Sequence, residues 1–212
     1  MQRTLYAVAL LLVVALAACR RGKTDGGPLP DARPFASFAT QRIVVAPVSR
    51  VRADSLGWVQ GAGGPRAAAR QLDSSLARVL DERGLAGQWV MPASLQRSYE
   101  RNRAYASDPY QLTVEQLRPA TFIAGSRFGE PLSTQLRTMI ALETDVRHVM
   151  IPVELHFERD ANQLRGVLRL VMLDPRTAEA KFAGEVKGDF SATLGPAIAS
   201  VAARVADLFV AP

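Results

Sequence analysis

Between residues 148 and 189 the chain alternates apolar and polar side chains through three successive runs, and no other feature restricts its fold so tightly. In residues 148–158, Val149, Ile151, Val153, Leu155 and Phe157 take alternate positions, with His148, Glu154, His156 and Glu158 on the other set. In residues 164–173, Leu164, Leu168, Leu170 and Met172 are apolar, with Arg165 and Arg169 opposite. After Asp174-Pro175-Arg176-Thr177, Ala180, Phe182 and Val186 alternate with Glu179, Lys181, Glu185, Lys187 and Asp189. A period of two sends successive side chains to opposite faces of a strand. Three such runs joined by short polar turns predict an antiparallel meander with one apolar and one wet face.

The chain on either side of the meander has a helical period. Leu72, Leu76, Val79 and Leu80 fall at i, i+4, i+7 and i+8, after Pro65 and before Gly84. Proline is tolerated at the first helical position and glycine favours the end, so a helix is predicted between them. Residues 93–104 predict a second helix, capped by Ser94, and Leu132, Leu136, Met139 and Ile140 a third within 132–142. Leu194, Ile198, Val201, Val205 and Leu208 form the apolar stripe of a closing helix. Ile43-Val44-Val45-Ala46-Pro47-Val48 reads as a strand buried on both faces and ended by its proline, and Gln88-Trp89-Val90-Met91-Pro92 as a second short strand. Residues 112–117 read as a short helical stretch, and Phe122-Ile123-Ala124 as a brief strand or a packed loop. The predicted order is β-α-β-α-α-β-β-β-α: a single α+β domain with a mixed sheet and helices on its apolar side.

The amino terminus predicts an address rather than a fold. Arg3 precedes an apolar stretch over residues 5–16, then Ala17, Ala18 and the chain's one cysteine, Cys19. That order is the grammar of an export signal, and the stretch is shorter than the roughly 20 residues a spanning helix needs. Leu16-Ala17-Ala18-Cys19 resembles the lipobox of bacterial lipoproteins. The resemblance implies cleavage before Cys19, a diacylglyceryl group on its thiol, a further acyl chain and a membrane anchor. By the same resemblance, Arg20 after the cysteine implies sorting to the outer membrane of a two-membrane bacterium, facing the periplasm. The expected organisation is a signal peptide at 1–18, a lipid-anchored tether at 19–40 rich in Gly, Pro and basic residues, and a globular domain at 41–212.

Within the domain, Arg42-Ile43-Val44-Val45-Ala46-Pro47, a helix ending near Arg83-Gly84, a short strand ending at Pro92 and the turn Leu173-Asp174-Pro175-Arg176-Thr177 carry a second resemblance. They are similar, over residues 42–210, to the periplasmic domain shared by curli-secretion lipoproteins, penicillin-binding-protein activator lipoproteins and the amino-terminal domain of TolB. The resemblance implies a non-enzymatic part in envelope assembly or maintenance, through binding a protein or an envelope polymer. The sequence has no long amphipathic insert of the kind that builds the curli pore, although a subunit of an oligomeric secretion pore is one alternative.

No catalytic residue, metal site or cofactor is predicted. Gly61-Ala62-Gly63-Gly64 lacks the Lys-Ser/Thr ending of a phosphate loop and reads as a flexible loop. His148, Glu154, His156 and Glu158 share a predicted strand face, where alternating His and Glu can ligate a metal. That face supplies the other alternative, a small enzyme or metal-binding module. Arg165 and Arg169 on the neighbouring strand make a cross-strand charge ladder the stronger reading. Asp73 and Asp81 read as part of a polar helix face. The segment holding Arg97, Tyr99, Arg101, Arg103 and Tyr105 interleaves basic and aromatic side chains and is the candidate surface for an anionic partner. Export argues against nucleic acid. The 23 arginines against 3 lysines within a net charge of +6 make a general arginine bias the competing explanation.

Overall fold

The computed structural model describes residues 33–211. The predicted signal peptide, Leu16, Ala17, Ala18, Cys19 and the first part of the tether lie outside the described residues. Among the described residues no helix is long and apolar enough to cross a membrane.

The domain is α+β, built on one mixed four-stranded sheet. Strands β1 (Ile43–Val45), β2 (His148–Asp160), β3 (Gln163–Asp174) and β4 (Glu179–Lys187) lie in that spatial order. β1 runs parallel to β2, whereas β2, β3 and β4 form the expected antiparallel meander. The helices are α1 (Trp58–Gly61), α2 (Pro65–Glu82), α3 (Pro92–Arg101), α4 (Leu132–Ile140) and α5 (Leu194–Asp207). Trp89-Val90 does not become a full strand: Val90 makes one parallel bridge to Val44, bonded on both sides by Val45 N to Val90 O and Val90 N to Ile43 O. α3 starts on Pro92, with Met91 rather than Ser94 at its cap. Residues 115–117 form a 3-10 turn and 122–124 a loop in which Phe122 is buried while Ile123 and Ala124 are exposed.

Both faces of the sheet are buried near β1, which corrects the expected wet face there; beyond the middle of the meander that face keeps its partly exposed charges Glu158, Arg165, Glu185 and Lys187. On one side α2 and α5 cover Ile43, Val45, Met150, Leu155, Leu168, Leu170, Met172 and Val186 with Leu72, Leu76, Leu80, Ile198, Val201 and Val205. Close approach there needs a residue without a side chain, since a Cβ on Gly166 of β3 would lie 2.7 Å from Val201 of α5. On the other side Val44, Val149, Ile151, Val153, Val171, Leu173 and Ala180 meet Leu95, Val114, Leu117, Phe122, Phe128, Leu136 and Met139.

Two β-bulges produce this division. Pro152 pairs with Leu170 but Glu154 with Arg169, so Val153 is an extra residue in β2. Likewise Met172 pairs with Phe182 but Leu173 with Ala180, so Lys181 is extra in β4. A bulge inserts one residue and exchanges the faces of everything beyond it. Val149, Ile151 and Val153 therefore point to the α3/α4 side, while Leu155 and Phe157 of the same alternating run pack on the α2/α5 side.

Packing also begins earlier than the expected boundary at residue 41. Phe35 is 2% exposed and lies edge-on to Phe182 at 4.6 Å and beside Phe209 at 4.9 Å, and its N–H donates to Leu208 O. An aromatic ring offers too much apolar surface to remain in a solvated tether when a cleft of the core is within reach.

Candidate functional site

The candidate site lies beyond the carboxyl end of β1, where ligands commonly bind in sheets with parallel strands. After Val45 the backbone follows β2 without forming a regular strand. Ala46 N donates to Met150 O, Ser49 N to Pro152 O and Arg52 N to Leu155 O, with Leu155 N returning a bond to Arg50 O. These bonds straddle the Val153 bulge, so the segment 48–52 is pinned beside the irregularity. Val59 is buried, and Gly63 and Gly64 at φ 92° and 91° turn the chain into α2 through conformations that glycine adopts without strain. Pro65 starts the helix, and its first two turns face the pinned segment.

Between them is a cleft of about 520 Å³ lined by Val48, Arg50, Val51, Pro65, Arg66, Ala69, Arg70, Asp73 and Tyr110 among others. A smaller hollow of about 270 Å³, with Ala77, Met91 and Pro92 in its wall, shares Arg70, Asp73 and Tyr110 with it. Tyr110 is 54% exposed and is aimed by a local turn, in which its own N–H donates to Asp108 Oδ1. Asp73 is the one acidic side chain in this lining. Its Oδ1 accepts the Val48 N–H at 3.0 Å, and burial pushes its carboxyl up to about 6 despite that stabilising bond. Burial also raises the Tyr110 phenol, with the Asp73 and Asp108 carboxylates adding to the shift.

Sequence reasoning placed Asp73 on an ordinary polar helix face. Arg66, Arg70 and Asp73 are spaced i, i+4 and i+7 on one side of α2, and that spacing was visible. What faces them comes from residues 48–51 and 110, which only the fold brings near.

The basic and aromatic segment is divided by the end of α3. Arg97 and Arg101 lie exposed on the helix, and Arg97 donates to Ser94 Oγ. Arg103 comes after the helix and sets its guanidinium carbon 5.9 Å from the Tyr99 ring centroid, and Tyr105 is 81% exposed.

His148 and His156 do not converge, which corrects the shared face read from their spacing. His148 lies before the Val153 bulge, buried at the foot of β2 with the Phe38 ring edge-on at 4.9 Å, and burial lowers its pKa. His156 lies beyond the bulge in a hollow with Arg52, Arg118, Glu154, Arg169 and Glu185. Among the described residues no three His, Cys, Asp or Glu side chains are grouped so as to hold a metal.

The charge ladder forms in part. Glu158 accepts from Lys187 Nζ at 2.9 Å and from Arg165 Nε at 2.7 Å, and these bonds lower its pKa. Glu154 stands 3.6 to 3.8 Å from Arg50, Arg52 and Arg118. Arg169 is buried instead of solvated: its guanidinium donates to the carbonyls of Leu117, Pro119 and Phe122. It closes a loop over the sheet and leaves the ladder to Arg165.

Fold and site together define an α+β domain with an arginine-lined cleft at the end of its parallel strand. Comparison with protein-family models, with curated proteins and with solved structures returns no match.

Proposed function

We propose that this chain is an exported, lipid-anchored bacterial envelope protein whose domain acts by binding, without catalysis, in envelope assembly or maintenance. The observation that carries the reading is Leu16-Ala17-Ala18-Cys19 placed directly after an apolar run of export length. The anchor at Cys19 and a periplasm-facing outer-membrane position follow from the resemblance of that motif to a lipobox. The partner is a protein or an envelope polymer. Two features support binding as the domain's task. Exposed arginines line an open cleft and stand on α3, and the Asp73 carboxylate is engaged by a backbone N–H rather than by a side chain it could activate.

The test is crosslinking in intact envelopes, with the native chain compared to Cys19→Ser. Intact mass first establishes the lipid on the native form. A specific envelope partner captured by the native chain and lost with Cys19→Ser is the expected result. An unmodified Cys19, or turnover of an envelope substrate by the purified protein, would overturn the reading.

A further inference from the structure

We propose that the cleft between residues 48–51 and α2 is a binding site for a small amphipathic oxyanion, a carboxylate or phosphate on an apolar body, held by Arg66 and Arg70. This inference rests on the domain being a binding module and names what one of its sites takes.

Size is the first argument. A cleft of about 520 Å³ is in the range of small-ligand sites, which span roughly 300–1,000 Å³. Its walls suit an apolar body: Val48, Val51, Pro65, Ala69 and Tyr110 line it. Charge is the second argument. Arg66 and Arg70 are four residues apart on one helix face, where like charges repel. Among the described residues neither forms an ion pair, although Arg78, Arg83, Arg165 and Arg204 each do. Arg70 has Asp73 three residues away, yet that carboxylate is turned to the Val48 N–H instead. Two guanidiniums without carboxylate partners beside an apolar cleft present the fork geometry that receives an oxyanion.

Asp73 makes the site sensitive to pH. The groups facing it are Arg70 from its own helix, Arg50 and the Val48 N–H from the pinned segment, and Tyr110 with Asp108 behind it from the 102–118 connection. Among the described residues none donates to its Oδ2. Ionised, the carboxylate opposes a bound anion. Protonated, it no longer repels the anion and can donate to it. Affinity for an oxyanion should therefore rise as pH falls through the Asp73 transition near 6.

The experiment is heteronuclear NMR titration of the full-length chain in detergent with phenylacetate, phenyl phosphate and neutral phenylacetamide. Saturable shifts of the Arg50, Val51, Arg66 and Arg70 amides with one or both acids, and not with phenylacetamide, are expected. Whichever of the two anions binds more tightly tells a carboxylate site from a phosphate one. Arg66→Ser with Arg70→Ser should weaken binding by about ten-fold. Phenylacetate, ionised throughout, should bind about three-fold tighter near pH 5.5 than near pH 7.5, and Asp73→Asn should flatten that difference. Equal binding of phenylacetamide, shifts confined to other surfaces, or undiminished affinity in the double arginine variant would overturn the proposal. So would a pH profile unchanged by Asp73→Asn, or the absence of cleft shifts with either acid. In that last case the anchored binding role stands on its own crosslinking test. Release of phenol from phenyl phosphate at the cleft would instead support the site and overturn the non-catalytic reading.

Discussion

One face of the sheet is covered by two long helices and the other by two short helices with coil between them, and the two covers are held by different physics. On the α2/α5 face, apolar stripes at helical spacing meet apolar strand positions, and burial of aliphatic side chains supplies the stabilisation. On the α3/α4 face, Val114, Leu117, Phe122 and Phe128 come from chain without a period. Their backbone carbonyls must be satisfied without a helix or sheet ladder to do it, and the Arg169 guanidinium does so for Leu117, Pro119 and Phe122. A coil layer over a sheet therefore needs a polar anchor within the apolar contact, whereas a helix layer brings its own hydrogen bonds.

This contrast can be broken by experiment. Leu76→Ala on the helical face should cost about 4 kcal/mol, because a fully enclosed leucine leaves a cavity its neighbours cannot fill; denaturant unfolding measures it. Arg169→Met on the coil face should cost about 3 kcal/mol by stranding buried carbonyls. Its signature is local: amide exchange should accelerate in residues 114–128 and leave α2 and α5 protected. Uniform acceleration would show that the two covers unfold as one unit and would remove the distinction.

Asp73, on α2 in the lining of the cleft, should give a smaller effect with a pH signature. Its carboxyl stands at about 6 in the fold against an ordinary 3.8, so the native state holds this proton more tightly than the unfolded chain. The group's contribution is most favourable below about pH 4, declines as pH rises through 4 to 6, and stays low above that window. Asp73→Asn should thus stabilise the protein by on the order of 2 kcal/mol at pH 7.5 and by nothing measurable near pH 4. Stabilisation of equal size at both values would remove the burial argument. The smallest effect belongs to the exposed Arg78–Glu82 pair on the solvent side of α2. Arg78→Ala should change stability by no more than about 0.5 kcal/mol, and by less at high salt.

Much of the helical cover was legible. Leu72, Leu76, Val79 and Leu80, and Leu194, Ile198, Val201 and Val205, stand in the chain at the spacing they use in the core. The coil cover was not, because Phe122 and Phe128 join the core through contacts remote in sequence, and no local period announces them. Of the cleft, the α2 stripe of Arg66, Arg70 and Asp73 could be seen, but not the wall opposite it. That wall depends on the chain after β1 being bonded to β2 about a hundred residues away.

Local pattern by itself determined the strand Ile43–Val45, the meander, the helices α2 to α5 and the α+β class, because periodicity reflects how an element exposes its side chains to any partner. It did not show that Trp89-Val90 makes only a bridge or that Trp58–Gly61 is a helical turn. Which partner each side chain meets was decided by the tertiary structure. The alternating run from Val149 to Phe157 is unbroken in sequence, yet it serves two cores, because Val153 is extruded from its pairing with β3. A bulge depends on the neighbouring strand, and the strand's own alternation continues through it unchanged. The separation of His148 from His156, the burial of Arg169 and the position of the cleft all follow from contacts of that kind.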